Sequence, residues 1–226
     1  MARSIIITGG TGGLGAAVTK RFLDDGWKVV VPWIHERELS RIEEREGLEL
    51  MQADLMDAGS VAGVVDAAGD ELQAVVNLVG GFAQGGRVHE TPIEEFEKQF
   101  TLNLRPTYLV SAAALPRLVE AGEGSIVCVG TRAALRPFPG AAGYISSKRA
   151  VLAFCEAVAV EYKDDGVRCN AILPSVIDTP GNRASQPDAD VSKWVAPEDI
   201  AGVIAWLCSP DSAPTSGAAI PVYGRA

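Results

Sequence analysis

The chain has 226 residues, is 47% hydrophobic and carries a formal net charge of −9, with no run of five basic residues. Its length suits one large core rather than two domains. Its charge argues against nucleic acid or an anionic membrane as the main partner. Cys128, Cys155, Cys169 and Cys208 lie far apart in apolar surroundings with no Cys-x-x-Cys pair. Buried free thiols suit that pattern better than disulfides or metal ligands, and they point to a reducing cytoplasm. The first residues run directly into an apolar strand without a charged leader, and no stretch reaches the roughly 18 apolar residues of a membrane span. A cytosolic location is expected.

Residues 4–8 read as a first strand, followed by an amphipathic helix over about 13–25 with Val18, Phe22 and Leu23 inward and Gly26 as its stop. A second strand spans 28–32, a charged surface helix 36–46, a third strand 48–53, and a helix 60–69 with Val61, Val64 and Val65 inward. The fourth strand is 72–78. A long helix should begin near Thr91 and Pro92, with Thr as cap and Pro in the first turn, and its apolar spacing runs through Phe96, Phe100, Leu104 and Leu109. Then come a fifth strand at 125–129, a helix at 143–162, a sixth strand at 167–173, a helix at 197–207 and a last strand at 218–223. Continuous apolar strands separated by helices predict a single α/β domain over 1–226, a doubly wound parallel sheet of about seven strands with helices on both faces.

Two patterns carry chemistry. The first strand leads into Thr8-Gly9-Gly10-Thr11-Gly12-Gly13-Leu14-Gly15 and then a helix. Glycines permit the sharp turn and the close approach of a pyrophosphate, which the amides and dipole at the helix start stabilise. The run fits Thr-Gly-x-x-x-Gly-x-Gly and also Gly-x-x-Gly-x-x-Gly, and its structural alternative is a plain tight turn. The second pattern is Tyr144-x-x-x-Lys148, which puts a phenol and an ammonium on one helix face. A nearby cation favours phenolate, so Lys148 should lower the Tyr144 pKa and make an acid/base device; by itself the spacing equally suits a solvated face.

In combination these motifs resemble the short-chain dehydrogenase/reductase family over nearly the whole chain, which implies a Rossmann-type fold. Thr8, Gly9, Thr11, Gly13, Leu14 and Gly15 resemble its phosphate turn, Asp54 and Leu55 its adenine contact, and Asn77, Val79 and Gly80 its Asn-Asn-Ala-Gly strand end, with Leu78 a departure. Pro174, Ser175, Ile177 and Thr179 resemble its Pro-Gly-x-x-x-Thr segment, with Ser175 in place of Gly. The resemblance implies hydride transfer between a nicotinamide cofactor and a carbonyl/alcohol or imine substrate. Tyr144 would move the proton, Lys148 would hold the ribose hydroxyls and tune the phenol, and Asn103 would hold a relay water. The family's substrate-orienting Ser falls on Thr131, whose hydroxyl can serve if it points inward; the alternative is that Thr131 only ends the fifth strand.

The cofactor is NADP or NAD. Where the family places an acid on the adenosine ribose this chain has Trp33 and then Ile34, with His35 and Arg37 beyond, and the missing carboxylate favours NADP. A short substrate lid at about 179–196 implies a small, open site. Its pieces around Asp178, Asn182, Arg183, Asp190 and Trp194 resemble dihydropteridine reductases, a branch that reduces a quinonoid pterin with NADH; packing and capping is the plainer explanation of the same residues. General similarity extends to 3-oxoacyl-carrier-protein reductases. A sugar-nucleotide epimerase shares the turn and the Tyr/Lys pair but adds a substrate domain beyond a chain ending at Ala226. A catalytically silent dinucleotide sensor or scaffold is the non-enzyme alternative. The family also implies a homo-dimer or homo-tetramer, for which Val151, Phe154, Cys155 and Val158 offer an apolar stripe, unless that stripe packs on its own sheet.

Overall fold

The computed structural model describes residues 3–225. Seven strands, β1 (Ser4–Thr8), β2 (Lys28–Trp33), β3 (Leu48–Gln52), β4 (Leu72–Asn77), β5 (Gly124–Val129), β6 (Val167–Pro174) and β7 (Ala219–Val222), form one sheet in the order β3-β2-β1-β4-β5-β6-β7. Every pairing is parallel. The order reverses between β1 and β4, which opens a crevice at the carboxyl ends of those strands, where open α/β sheets bind ligands.

Two layers of helix bury the sheet. Helices α2 (Ala58–Ala68), α4 (Arg105–Ala121) and α5 (Ala142–Glu161) cover one face, and α1 (Gly15–Asp24) and α7 (Pro197–Leu207) the other. Side chains alternate across a strand, so Ile6 enters the first layer while Ile5 and Ile7 enter the second, all three fully buried. Each such burial is worth about 1.5–3 kcal/mol. Among the described residues, no helix is long and apolar enough to cross a membrane.

Three local expectations change. The charged segment after β2 forms only a 3₁₀ turn, Glu36–Arg41, because it has no apolar face to bury. The long helix expected from Thr91 is two, α3 (Ile93–Asn103) and α4, broken at Leu104. Pro106 has no N–H to offer the carbonyl of Leu102, so the ladder stops beside Asn103. Thr91 does not cap α3 either; its hydroxyl donates back to the Arg87 carbonyl at 3.0 Å and Pro92 takes the cap position.

Candidate active site

At the end of β1 the Thr8 hydroxyl accepts from the amides of Leu78 (3.1 Å) and Val79 (3.4 Å), tying the glycine turn to the end of β4. Gly9 sits at φ 67°, and a Cβ on Gly15 would fall on the Gly9 carbonyl, so the turn admits no side chain at either place. Leu14 occupies the cap position of α1 with no side-chain hydrogen bond and no acid in the first turn. Among the described residues the amides of Gly13 and Leu14 have no acceptor. Orphan donors at a helix start with no acid in its first turn are what a pyrophosphate needs, so the chain fits a dinucleotide. Thr179 lies against Gly13: a Cβ there would approach the Thr179 methyl to 2.9 Å.

Lys148, 6% exposed, donates to the Val129 carbonyl at 2.8 Å, which leaves two of its three protons for another acceptor. Gly80 makes room for it, since a Cβ there would come within 3.0 Å of Nζ and 2.6 Å of Asn103 Oδ1. Burial pulls the Lys148 pKa down to about 8, with Cys128 acting weakly in the opposite sense. Tyr144 does not show the lowered pKa expected from Lys148. Burial raises it, and the group acting the other way is the neighbouring Thr131 hydroxyl. Lys148 is not among the groups acting on the phenol; its ammonium is bonded to the Val129 carbonyl at the end of β5.

Thr131 lies beyond β5, where its oxygen accepts from the Ala133 amide at 3.3 Å. Its proton remains for the phenol or for a substrate oxygen. Asn103 is fully buried and fastened: Nδ2 donates to Gly81 and Gln99 carbonyls and to Ser147 Oγ, and Oδ1 accepts from the Gly81 amide. Its amide locks α3 to the loop after β4 and to α5. Asn77, the last residue of β4, is buried, and its amide donates to Ser111 of α4 at 3.1 Å. An aromatic partner that no motif marked stands over the phenol. Phe82 meets Tyr144 edge-on at 5.0 Å and Phe138 at 6.4 Å, and Phe82 is 61% exposed. An isolated aromatic in a polar loop gives no periodic signal.

Beyond buried Pro174, the Ser175 hydroxyl donates to the Tyr223 carbonyl at 2.7 Å, so the departure from Gly anchors the chain after β7. Ile177 bridges Val195 across the base of the lid. The lid carries a short helix, α6 (Pro180–Ser185), capped by Thr179, and Asn182 donates to the Ile177 carbonyl at 2.8 Å while Arg183 pairs with Asp178. The residues whose pattern resembled pterin reductases therefore hold the lid together. On the opposite side Leu55 is buried, exposed Asp54 accepts from the Met56 amide at 2.9 Å, Trp33 is half-buried at the end of β2, and His35 and Arg37 point outward. The sequence reading missed one acid here: Glu38 Oε2 accepts from Thr11 Oγ1 at 3.1 Å.

Three of the four thiols dispersed in sequence, Cys128, Cys155 and Cys169, converge in the core with sulfurs within 4.8 Å of one another. Such free thiols pack as small hydrophobes.

A family model described as Enoyl-(Acyl carrier protein) reductase matches residues 9–224. The 2-(R)-hydroxypropyl-CoM dehydrogenase of Xanthobacter autotrophicus is 32% identical over 99% of this chain and 98% of its own length. The chain belongs to the short-chain dehydrogenase/reductase family. Among solved members, ElxO with NADP bound is 25% identical and superposes with a TM-score of 0.91 over 99% of this chain and 98% of that one. A 3-ketoacyl-(acyl-carrier-protein) reductase from Brucella melitensis complexed with NADH is 28% identical, with a TM-score of 0.87 over 99% and 98%. This short-chain dehydrogenase/reductase is accordingly an NAD(P)-dependent oxidoreductase, and its relatives leave the choice between the two nucleotides open.

Proposed function

We propose that the protein reduces a small carbonyl or imine, or oxidises the matching alcohol or amine, with Tyr144 as general acid/base. The carrying observation is that a half-buried phenol has the Thr131 hydroxyl as its neighbour and lies one turn of α5 before the buried Lys148 ammonium, which is bonded to the end of β5. The bound nicotinamide supplies or accepts the hydride. The backbone amides after Gly12 and the Thr179 segment would hold its pyrophosphate, and Lys148 would hold ribose hydroxyls with its two remaining protons. Thr131 orients the substrate oxygen or nitrogen, Tyr144 delivers the proton, and Asn103 positions Lys148 and Tyr144 by clamping α5. Phe82, with Phe138 beside it, favours a substrate with a flat apolar face.

Tyr144→Phe removes only the proton donor. Turnover should fall by about 100- to 10,000-fold, while dinucleotide affinity measured by tryptophan fluorescence should stay within about threefold, roughly half of the 1.4 kcal/mol that makes a tenfold change. Turnover surviving in the variant would remove Tyr144 from the mechanism.

The assembly we infer is a homo-oligomer built on α4 and α5. Val151, Cys155 and Val158 pack into the chain's own core, but Phe154 joins Phe100, Leu104, Tyr108 and Ala150 in an apolar groove, with Tyr108 55% exposed. A second copy would cover that groove by a two-fold contact. Four buried free thiols support a reducing compartment.

A further inference from the structure

The acid that β2 fails to supply arrives from the turn that follows it. Thr11, 2% exposed, lies in the glycine turn two residues before the orphan amide of Gly13, and its hydroxyl donates to Glu38 Oε2 at 3.1 Å. Glu38 belongs to the turn Glu36–Arg41, five positions beyond Trp33. Its other oxygen, Oε1, has no donor and no cation among the described residues.

Direction follows from the two sides of the crevice. Tyr144, Thr131 and Lys148 stand at β5 and α5, so the reacting half of a dinucleotide lies on that side of the turn. Its adenosine half then lies towards β2 and β3, where Asp54 and Leu55 follow the third strand. The first sugar on that side is the adenosine ribose, and the carboxylate fixed to Thr11 stands there. We propose that Glu38 is the ribose acceptor of this protein and makes it select NAD(H) over NADP(H), with Thr11 as the residue that positions the carboxylate. The proposal rests on the dinucleotide-dependent reading above and revises the preference for NADP drawn from the bare end of β2.

A carboxylate with one oxygen held and one open accepts a ribose hydroxyl as a charge-assisted hydrogen bond. A 2′-phosphate in the same place meets a like charge at the mouth of a partly desolvated turn, where repulsion is strong. Arg37 and Arg41 lie in the same turn and would attract that phosphate, but both are exposed and make no ion pair among the described residues. Exposed, unanchored guanidinium groups contribute little. Anchoring decides in favour of Glu38.

The test is a pair of equilibrium titrations with NADH and NADPH, followed by tryptophan quenching, on the wild-type protein and on Glu38→Gln and Glu38→Asp. Wild type should bind NADH at least about 30-fold more tightly than NADPH. Glu38→Gln should narrow that ratio by about tenfold or more, mainly through tighter NADPH, while Glu38→Asp, which keeps the charge, should retain discrimination with weaker NADH. Equal affinities in wild type, or a ratio unchanged in Glu38→Gln, would overturn the role of Glu38 and leave the dinucleotide reading standing. Binding of neither nucleotide to a folded wild type would overturn both. All three proteins should share one melting temperature within a few degrees, because Glu38 is only half-buried and carries no core contact.

Discussion

Lys148 shows how a single buried charge ties the site to the stability of the whole chain. Its pKa falls from 10.5 to about 8 through burial. Between those values the unfolded chain binds a proton that the folded chain has released, so stability rises with pH through this window and is lost as pH falls back to about 8. Relative to Lys148→Met, the wild type should gain roughly 2–3 kcal/mol between pH 8 and 10, read as a change in the difference of melting temperatures. A flat difference would mean that the ammonium is solvated. Ser175 gives a second residue-scale expectation. Ser175→Gly removes its bond to the Tyr223 carbonyl and should cost about 1 kcal/mol of stability without abolishing turnover. Tyr144 and Lys148 were legible as candidates from their spacing, and Thr131 only through the family resemblance. Their electrostatics were not: whether a lysine lowers its neighbour's pKa depends on burial and on a backbone carbonyl, Val129, that spacing does not reveal.

The strands were legible almost to the residue, since fully buried runs such as Ile5-Ile6-Ile7 and Val29-Val30-Val31 read as continuous apolar sequence. Helices were less so. The break at Leu104 depends on one missing N–H at Pro106, and the apolar spacing from Phe96 to Leu109 runs across it without interruption. The break places Asn103 at the end of α3, where it clamps the loop after β4. The turn Glu36–Arg41 carries the acid that alignment to the strand end overlooked, because a partner reached through space leaves no fixed offset in sequence. At this scale Gly15→Ala is the sharpest test of the turn. Its Cβ would collide with the Gly9 carbonyl, so the βα connection must open, costing about 1–3 kcal/mol or more and dinucleotide binding with it. A variant that binds NADH normally and melts with wild type would contradict the geometry.

For the molecule as a whole, order of strands and position of the crevice follow from the parallel sheet, while assembly was only half-visible. The apolar stripe on α5 is mostly core, and the surface that remains is the groove at Tyr108 and Phe154, whose rings lie 6.0 Å apart. The wild type should sediment as a dimer or tetramer, and Tyr108→Glu with Phe154→Glu should shift it to monomer at micromolar concentration by burying like charges against each other. A wild type that is monomeric at high concentration would remove the proposed interface. The central claim, that this chain moves hydride and does not merely bind a nucleotide, is tested most directly with NADH deuterated at the transferring position and a panel of small aromatic and aliphatic carbonyls. Deuterium should appear on the carbinol carbon of at least one product with wild type and be lost with Tyr144→Phe, although both proteins bind the nucleotide. Tight binding without label in any product, equal for the two proteins, would contradict the account and identify a silent dinucleotide-binding protein.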